Sequence, residues 1–536
     1  MGGIEGNVAS VFANGVVIEF SMLWDDVTNN NDRPAAFNWF GYKLYNNGPG
    51  NNGMYAPVPQ NNPTSPLNAV AELVNNVYPV YYYSVVNTDN GTATAPFAAR
   101  SFTYHQDVST PGAGGYVLIG PESFFDFTVN DNSTDNNDNA PVNHLYDNNE
   151  IANRVLINGS LTVTRNLVVG QGSALLPADN TSGPVLSTLT LNGSNSHIYN
   201  EGRIDSNPEI GGTDYNLRRL SWVMDGNVTY EASSLFKELA RFSDITITSG
   251  STFHGPAVGS AQIELQYGSL TNHGELDFSD ANGGTLDIGT RGDVSSPNLY
   301  SISNPMATGS FVFNDILIGR DTSTLAAAPS GGLIQLVVKG NFENYGDFRP
   351  SNVGSSISVK MNGEVRQEIR GNSVETLGNR TTFHTLIIEN NNLLNDSNAL
   401  ADVHFMSFGG DEVDYFITDT LRLVSGDLVT RDRVNPTIVH EMVVDSGAVV
   451  IHGAAMSNMP SGLPSSFVDG PLSRVNSSTS DEMVFPVGKK NSLRRLTLLS
   501  AQSSYQRDTL RVEMFQESAA DLGFGVIQTP EVIPNI

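Results

Sequence analysis

One short phrase returns at a fixed interval, and it restricts the fold more than any other feature of the chain. Tyr199-Asn200-Glu201-Gly202-Arg203-Ile204, Thr271-Asn272-His273-Gly274-Glu275-Leu276 and Glu343-Asn344-Tyr345-Gly346-Asp347-Phe348 share the order Asn, any residue, Gly, polar, apolar. The asparagines stand at 200, 272 and 344, two equal steps of 72 residues. Self-similarity at a fixed period marks a stacked repeat, in which each unit buries its apolar side only against its neighbours. With about 24 residues to a coil, one step spans about three coils of a parallel β-helix, and the phrase is expected at a repeated corner. Asn and Gly suit such a corner because both tolerate left-handed backbone angles, and stacked Asn side chains can bond to one another along a ladder.

The segments between these phrases have strand character. Ser187-Thr188-Leu189-Thr190-Leu191, Asp244-Ile245-Thr246-Ile247-Thr248 and Ile334-Gln335-Leu336-Val337-Val338-Lys339 alternate apolar and polar residues, as does Thr420-Leu421-Arg422-Leu423. That period of two gives a strand one buried face. Ser249-Gly250, Ser425-Gly426 and Ser446-Gly447 then supply turns. Only Pro66 to Val77 and Ser233 to Phe242 have apolar spacing that fits a helix.

The expected fold class is therefore all-β: a parallel β-helix over 150–455, an N-terminal β-rich cap or separate domain over 1–149, and a small C-terminal β-module over 456–536. A stacked repeat needs its open end covered, because a bare terminal coil offers unpaired backbone groups to another chain. The first region differs in kind, holding Trp24, Trp39 and the run Tyr81-Tyr82-Tyr83. The tract Asp131-Asn132-Ser133-Thr134-Asp135-Asn136-Asn137-Asp138-Asn139 reads as its linker to the repeats. Roughly twelve or thirteen coils at about 4.8 Å each would give a rod about 60 Å long.

Composition excludes several classes of function. Lys plus Arg number 28 against 56 Asp plus Glu, a net charge of -28, and no Lys/Arg cluster exceeds the pairs Lys489-Lys490 and Arg494-Arg495. Such a surface repels phosphate backbones, so nucleic acid is not an expected partner. The absence of Cys removes disulfides and thiolate metal sites together. No apolar stretch is long enough for a membrane-spanning helix, and Met1-Gly2-Gly3-Ile4-Glu5 lacks the basic and apolar regions of a signal peptide.

Four phrases, in order, carry a resemblance to a known family. They are Lys339-Gly340-Asn341-Phe342-Glu343-Asn344-Tyr345-Gly346-Asp347-Phe348; Met361-Asn362-Gly363 with Gln367, Ile369 and Gly371; Phe383, Leu386, Ile388 and Asn390; and Phe467 to Leu472 followed by Phe485-Pro486-Val487-Gly488-Lys489. Together they resemble the large surface repeat proteins that Bacteroidota export through the type IX secretion system. The resemblance covers about residues 155 to 536, and its most specific part is the Gly-Pro-Leu and Phe-Pro-Val-Gly-Lys module. It implies a β-helical, adhesin-like stalk or fibre segment, extracellular or on the cell surface and associated with the outer membrane. Its implied partners are surface glycans, other surface or secretion-system proteins, and further copies of itself in a fibre. It implies no catalytic residue and no cofactor, and the early end of the last module reads as that of a longer polypeptide.

Candidate chemistry is sparse. His440-Glu441 begins like a zinc-protease helix, but Val occupies position 444 and the segment alternates as a strand. An enzyme acting on acidic polysaccharides would gather carboxylates, a His and an Arg/Lys pair. Asn87-Thr88-Asp89, His254-Gly255 and His452-Gly453 match single elements of such a site, but with only six Lys the chain suits anionic sugars poorly. Asp411, Glu412 and Asp414 form the best carboxylate cluster and read as a solvated loop after Gly409-Gly410. Structural Ca²⁺ is the one ion the composition admits, with Asn87, Asp89 and the Asp131, Asp135, Asp138 tract as oxygen sources and no ligand set assigned. Thr420 and Thr509, in Asp-Thr-Leu, resemble the O-glycosylation site of Bacteroidota. The rival functions are a polysaccharide lyase or hydrolase and a glycan-binding module using Trp24, Trp39 and Tyr81 to Tyr83.

Overall fold

The computed structural model describes residues 7–11, 18–21, 37–39, 41–46, 52–58, 67–68, 80–85, 100–106, 116–119, 122–131, 153–157, 159–170, 173–177, 185–204, 218–232, 238–240, 244–256, 260–265, 268–279, 282–288, 298–305, 309–319, 323–371, 381–390, 402–408, 411–432, 435, 437–452, 466–475, 482–489, 492–499 and 509–515. These residues are all-β and contain no helix. The two segments with helical spacing contribute strands where they are described, Leu67–Asn68 and Glu238–Ala240. Glu238–Ala240 pairs in parallel with Ser260–Leu265, and those backbone bonds decide its conformation over the 3.6-residue period.

Parallel pairing organises most of the described strands into three columns. The first runs through Val185–Leu191, Arg218–Met224, Asp244–Ile247, Gly268–Asn272, Asn298–Ser303, Ser323–Ala327 and Asp347–Arg349. The second runs through Ser196–Asn200, Asn227–Ala232, Thr252–His254, Glu275–Asp277, Ser310–Phe313, Gly332–Val338, Ser355–Met361, Thr381–Glu389 and Asp414–Ser425. The third runs from Glu238–Ala240 through Ser260–Leu265, Asn282–Ile288, Asp315–Ile318, Phe342–Asn344, Gln367–Gly371, Val403–Ser407, Leu428–Val429 and Val468–Asp469 to Glu482–Lys489. Between Arg218 and Arg349 the chain visits the columns in strict rotation, one strand in each per layer. This pattern of parallel strands in long sheets is compatible with a β-helix.

Antiparallel pairs lie at both ends of the columns. Phe37–Trp39 and Arg100–Gln106 both pair antiparallel with Val80–Val85, which puts Trp39 opposite Tyr81 and Phe37 opposite Tyr83. Arg100–Gln106 then starts the parallel run with Glu122–Asp131. At the other end, Ser492–Leu499 folds back on Glu482–Lys489, and Thr509–Val512 on Leu472–Val475.

In the columns, alternation sends one side of most described strands into one large apolar core. In Ser355–Met361 each second residue is buried, and the same period runs through Ser196–Asn200. Aromatic side chains stack from layer to layer: Tyr230 to Phe253 at 6.2 Å, Phe253 to Phe278 at 5.2 Å and Phe278 to Phe313 at 6.3 Å between centroids. All four are buried, and each such contact adds to the apolar area removed from water.

The Asn-x-Gly phrases occupy corners, but each a different one. Asn200 closes a second-column strand, Asn272 a first-column strand and Asn344 a third-column strand. Each step of 72 residues covers eight strands in chain order, and eight is not a multiple of three, so the expected repeated corner is replaced by three distinct ones. Asn272 and Asn344 nevertheless share a local geometry. Asn272 Oδ1 accepts the Gly274 amide at 2.9 Å, and Asn344 Oδ1 accepts the Gly346 amide at 3.1 Å. Their amide groups donate to the neighbouring chain, Asn272 to the Ser310 carbonyl at 2.6 Å and Asn344 to Thr381 Oγ1 at 3.1 Å. Gly274 is required by crowding, not by a left-handed backbone: a Cβ there would lie 2.3 Å from the Ser251 carbonyl oxygen. Left-handed angles belong to the Ser-Gly turns, as at Gly250 with φ of 80°.

Candidate functional site

Charged residues are scarce in this chain, so a place where four of them meet stands out. On the third column, Gln367–Gly371 presents Glu368 and Arg370 on its outer side, with Arg366 just before it. Arg366 and Arg370 both donate to the Glu368 carboxylate, Arg370 Nε at 2.9 Å. One layer earlier, Glu343 stands opposite Arg370 in register, its Oε1 3.7 Å from Arg370 Nε. Tyr345 and Phe408 stack beside them with centroids 3.4 Å apart at 26°, and the Arg370 guanidinium lies 6.0 Å from the Phe408 ring.

The two carboxylates are pushed in opposite directions. Burial holds Glu343 above the ordinary carboxylate range; Arg370 opposes this, while Asp315 and Glu368 add to it. Burial alone would raise Glu368 too, but the hydrogen bonds from Arg370 and Arg366 outweigh it and hold this group below the ordinary value. A protonatable acid beside a fixed carboxylate, with guanidinium donors and an aromatic pair alongside, can bind hydroxyl-rich ligands and can in principle supply a proton.

The residues singled out in the sequence do not converge on this site. Glu343, Tyr345, Gln367 and Ile369 entered only as parts of repeat phrases, and no spacing announced that Glu343 and Arg370 would face each other. Thr420 is half-buried on Asp414–Ser425 with Oγ1 donating to Asp419 Oδ2 at 2.9 Å, whereas Thr509 is exposed at the start of Thr509–Val512. Asp411, Glu412 and Asp414 are exposed. His440 precedes the strand Glu441–Val444 and is wholly buried. Its Nδ1 accepts the Val413 amide at 3.2 Å, its Nε2 lies 3.7 Å from Asp432 Oδ2, and burial lowers its basicity despite that carboxylate. His452 is also buried. His254 lies on a second-column strand, with Nε2 3.0 Å from Asn227 Oδ1. Trp24, Asn87, Asp89, Asp135 and Asp138 lie outside the described residues, as do the side chains of Trp39, Tyr81 to Tyr83 and Asp131. Among the described residues no group of three or more His, Asp or Glu is arranged to hold a metal ion.

No family model, no curated protein and no solved structure matches the chain.

Proposed function

We propose that this chain is a non-enzymatic structural and adhesive protein of the cell surface or extracellular space, exported by a type IX route. In this reading the three columns are the faces of a parallel β-helical rod. The antiparallel strands before Arg100 belong to an N-terminal cap, and those after Ser492 close the other end. The observation that carries the proposal is the run of parallel pairing from Arg100–Gln106 to Glu482–Lys489 over one continuous apolar core. A body in which every layer bonds to the next is stiff along its axis and presents long faces to partners. Its acidic, lysine-poor surface favours solubility and uncharged ligands.

Protease treatment of intact producing cells, followed by peptide mass spectrometry, tests this reading. Release of its peptides from the cell surface, with sugar on Thr420 or Thr509, is the expected result; recovery only after lysis overturns surface display. Cryo-electron microscopy tests the rod, which predicts layers at about 4.8 Å along one axis.

One observation favours a second reading, a carbohydrate-active enzyme: the opposite displacement of Glu343 and Glu368 beside Arg370. New reducing ends from a neutral polysaccharide, or unsaturated uronate ends from an acidic one, lost in Glu343→Gln, would establish it.

A further inference from the structure

A second outer face, distant in sequence from Glu343, has a different composition. The strand Ser196–Asn200 buries Ser196, Ile198 and Asn200 and turns His197 and Tyr199 outward. Their rings are parallel, with centroids 3.7 Å apart and planes 8° from coincidence. His197 therefore backs the tyrosine ring and limits its rotation, while Tyr199 remains 39% exposed.

The next two layers surround this pair with hydrogen-bonding groups. In register, Thr229 stands beside His197 and Glu231 beside Tyr199, with Glu231 Oε2 3.3 Å from His197 Nε2. One layer further, His254 stands beside Thr229, its Nε2 3.4 Å from Thr229 Oγ1 and its Nδ1 2.9 Å from the Gly255 carbonyl. Thr252 Oγ1 donates to Asn227 Oδ1 at 2.6 Å, so both residues are held in place on the same face. On the other side, Val168 adjoins Tyr199 and Asn166 adjoins His197. Arg165, next to Asn166, is tied to Asp126.

An upright, pre-positioned aromatic ring beside carboxylate, imidazole and hydroxyl groups recognises molecules with one apolar face and a rim of hydroxyls. The face carries Glu231 and, two layers on, Glu275 and Asp277, with no lysine among the described residues of these strands. Carboxylated or sulfated ligands are therefore disfavoured. We infer that the Tyr199, His197 and Glu231 face binds neutral oligosaccharides, with a pyranose ring stacked on Tyr199 and its hydroxyls bonded to Glu231 and the neighbouring polar row. The inference rests on the adhesive reading and gives it a ligand class.

Titration of the full chain with cellohexaose and with chitohexaose, followed by calorimetry and by tyrosine fluorescence, tests it. Saturable binding of at least one of them is expected, weakened at least about tenfold in Tyr199→Ala and in Glu231→Ala; polygalacturonate should not bind. Circular dichroism and unfolding midpoints establish that both variants are folded, and Tyr345→Ala controls for the Glu343 site. Failure of both neutral sugars to bind overturns the inference, as does undiminished binding in folded Tyr199→Ala or equal binding of polygalacturonate. The surface digest and the microscopy are independent of these titrations. A surface-displayed rod that binds neither sugar sinks this inference alone, and a sugar-binding chain found only inside cells sinks the adhesive reading alone.

Discussion

Lys489 Nζ lies 2.6 Å from Asp469 Oδ1, and the contact joins the two halves of the Gly-Pro-Leu and Phe-Pro-Val-Gly-Lys module. Asp469 precedes Gly470-Pro471-Leu472, and Lys489 ends the strand Glu482–Lys489, so residues 20 apart in sequence meet across neighbouring strands. Both side chains retain about a quarter of their exposure. A partly exposed pair of this kind contributes less than about 1 kcal/mol. Lys489→Met should therefore unfold at slightly lower denaturant concentration, and a double-mutant cycle with Asp469→Asn should return a coupling of that size. A much larger coupling would overturn the reading of a partly exposed pair; Asp469 also lies within electrostatic reach of Asp402 and Asp427.

Those two aspartates set a pH dependence. Asp402 Oδ1 accepts the Asp427 amide at 3.2 Å, and Asp427 Oδ1 accepts the Phe467 amide at 3.2 Å, so the carboxyls stand one layer apart. Burial, with Asp402 and Asp469 nearby, pushes Asp427 up to about 8 from an ordinary 3.8, and burial raises Asp402 as well. The fold binds these protons more tightly than the unfolded chain does. Their contribution is whole below the ordinary value and is lost as pH rises through about 8. Unfolding midpoints measured from pH 5 to 9 should fall as pH rises toward about 8 and level off beyond it, and Asp427→Asn should flatten that fall.

His440 supplies the opposite slope. Its basicity is lowered by burial, so the unfolded chain takes up the proton first, and stability drops as pH falls below about 6.5. His440→Gln keeps an acceptor within reach of the Val413 amide and removes the titration. The acid limb of the stability profile should shrink in this variant, with the alkaline limb unchanged.

Two glycine substitutions should destabilise for different reasons. Gly274→Ala drives a methyl to 2.3 Å from the Ser251 carbonyl and 2.7 Å from the Thr248 carbonyl, which forces the layers apart. A cost of about 1–3 kcal/mol is expected. Gly250→Ala meets no atom within 4 Å but keeps a φ of 80°, for which the cost is about 1–2 kcal/mol. Restoring a residue that tolerates the left-handed region, Gly250→Asn, should recover part of the second loss, whereas Gly274→Asn should be no better than Gly274→Ala.

Phe278 touches Tyr230, Phe253 and Phe313 across successive layers. Phe278→Ala should cost about 3–5 kcal/mol, and Phe278→Leu much less. Hydrogen exchange should show the loss concentrated in the layers from Asn227 to Phe313.

Local patterns in the sequence carried the all-β class because each strand announces itself: Ser187 to Leu191 and Asp244 to Thr248 alternate whatever they pair with. The repeat phrase marked true corners at Asn200, Asn272 and Asn344, yet equal spacing misled about which corner, since 72 residues hold eight strands and a layer holds three. The left-handed angle expected of the corner glycines belongs instead to Ser-Gly turns such as Gly250, whereas Gly274 needs the absence of a side chain. The candidate sites were far less legible. Glu343 meets Arg370, and His197 meets Glu231, only after the chain has passed once through all three columns, so no short motif joins them. Conversely, the Ser233 to Phe242 spacing suggested a helix because apolar periodicity records burial and not the partner that satisfies the backbone.

Masons avoid stacking vertical joints, since a crack then runs straight up the wall. The three Asn-x-Gly corners fall on three different edges of the columns, so the polar, tightly approached bends they create never line up one above another. Gly202 closes on the Gly170 and Ser173 carbonyls and Gly274 on those of Thr248 and Ser251, each bend keyed to the one before it on its own edge. In the rod proposed above, a tear would have to change direction from edge to edge.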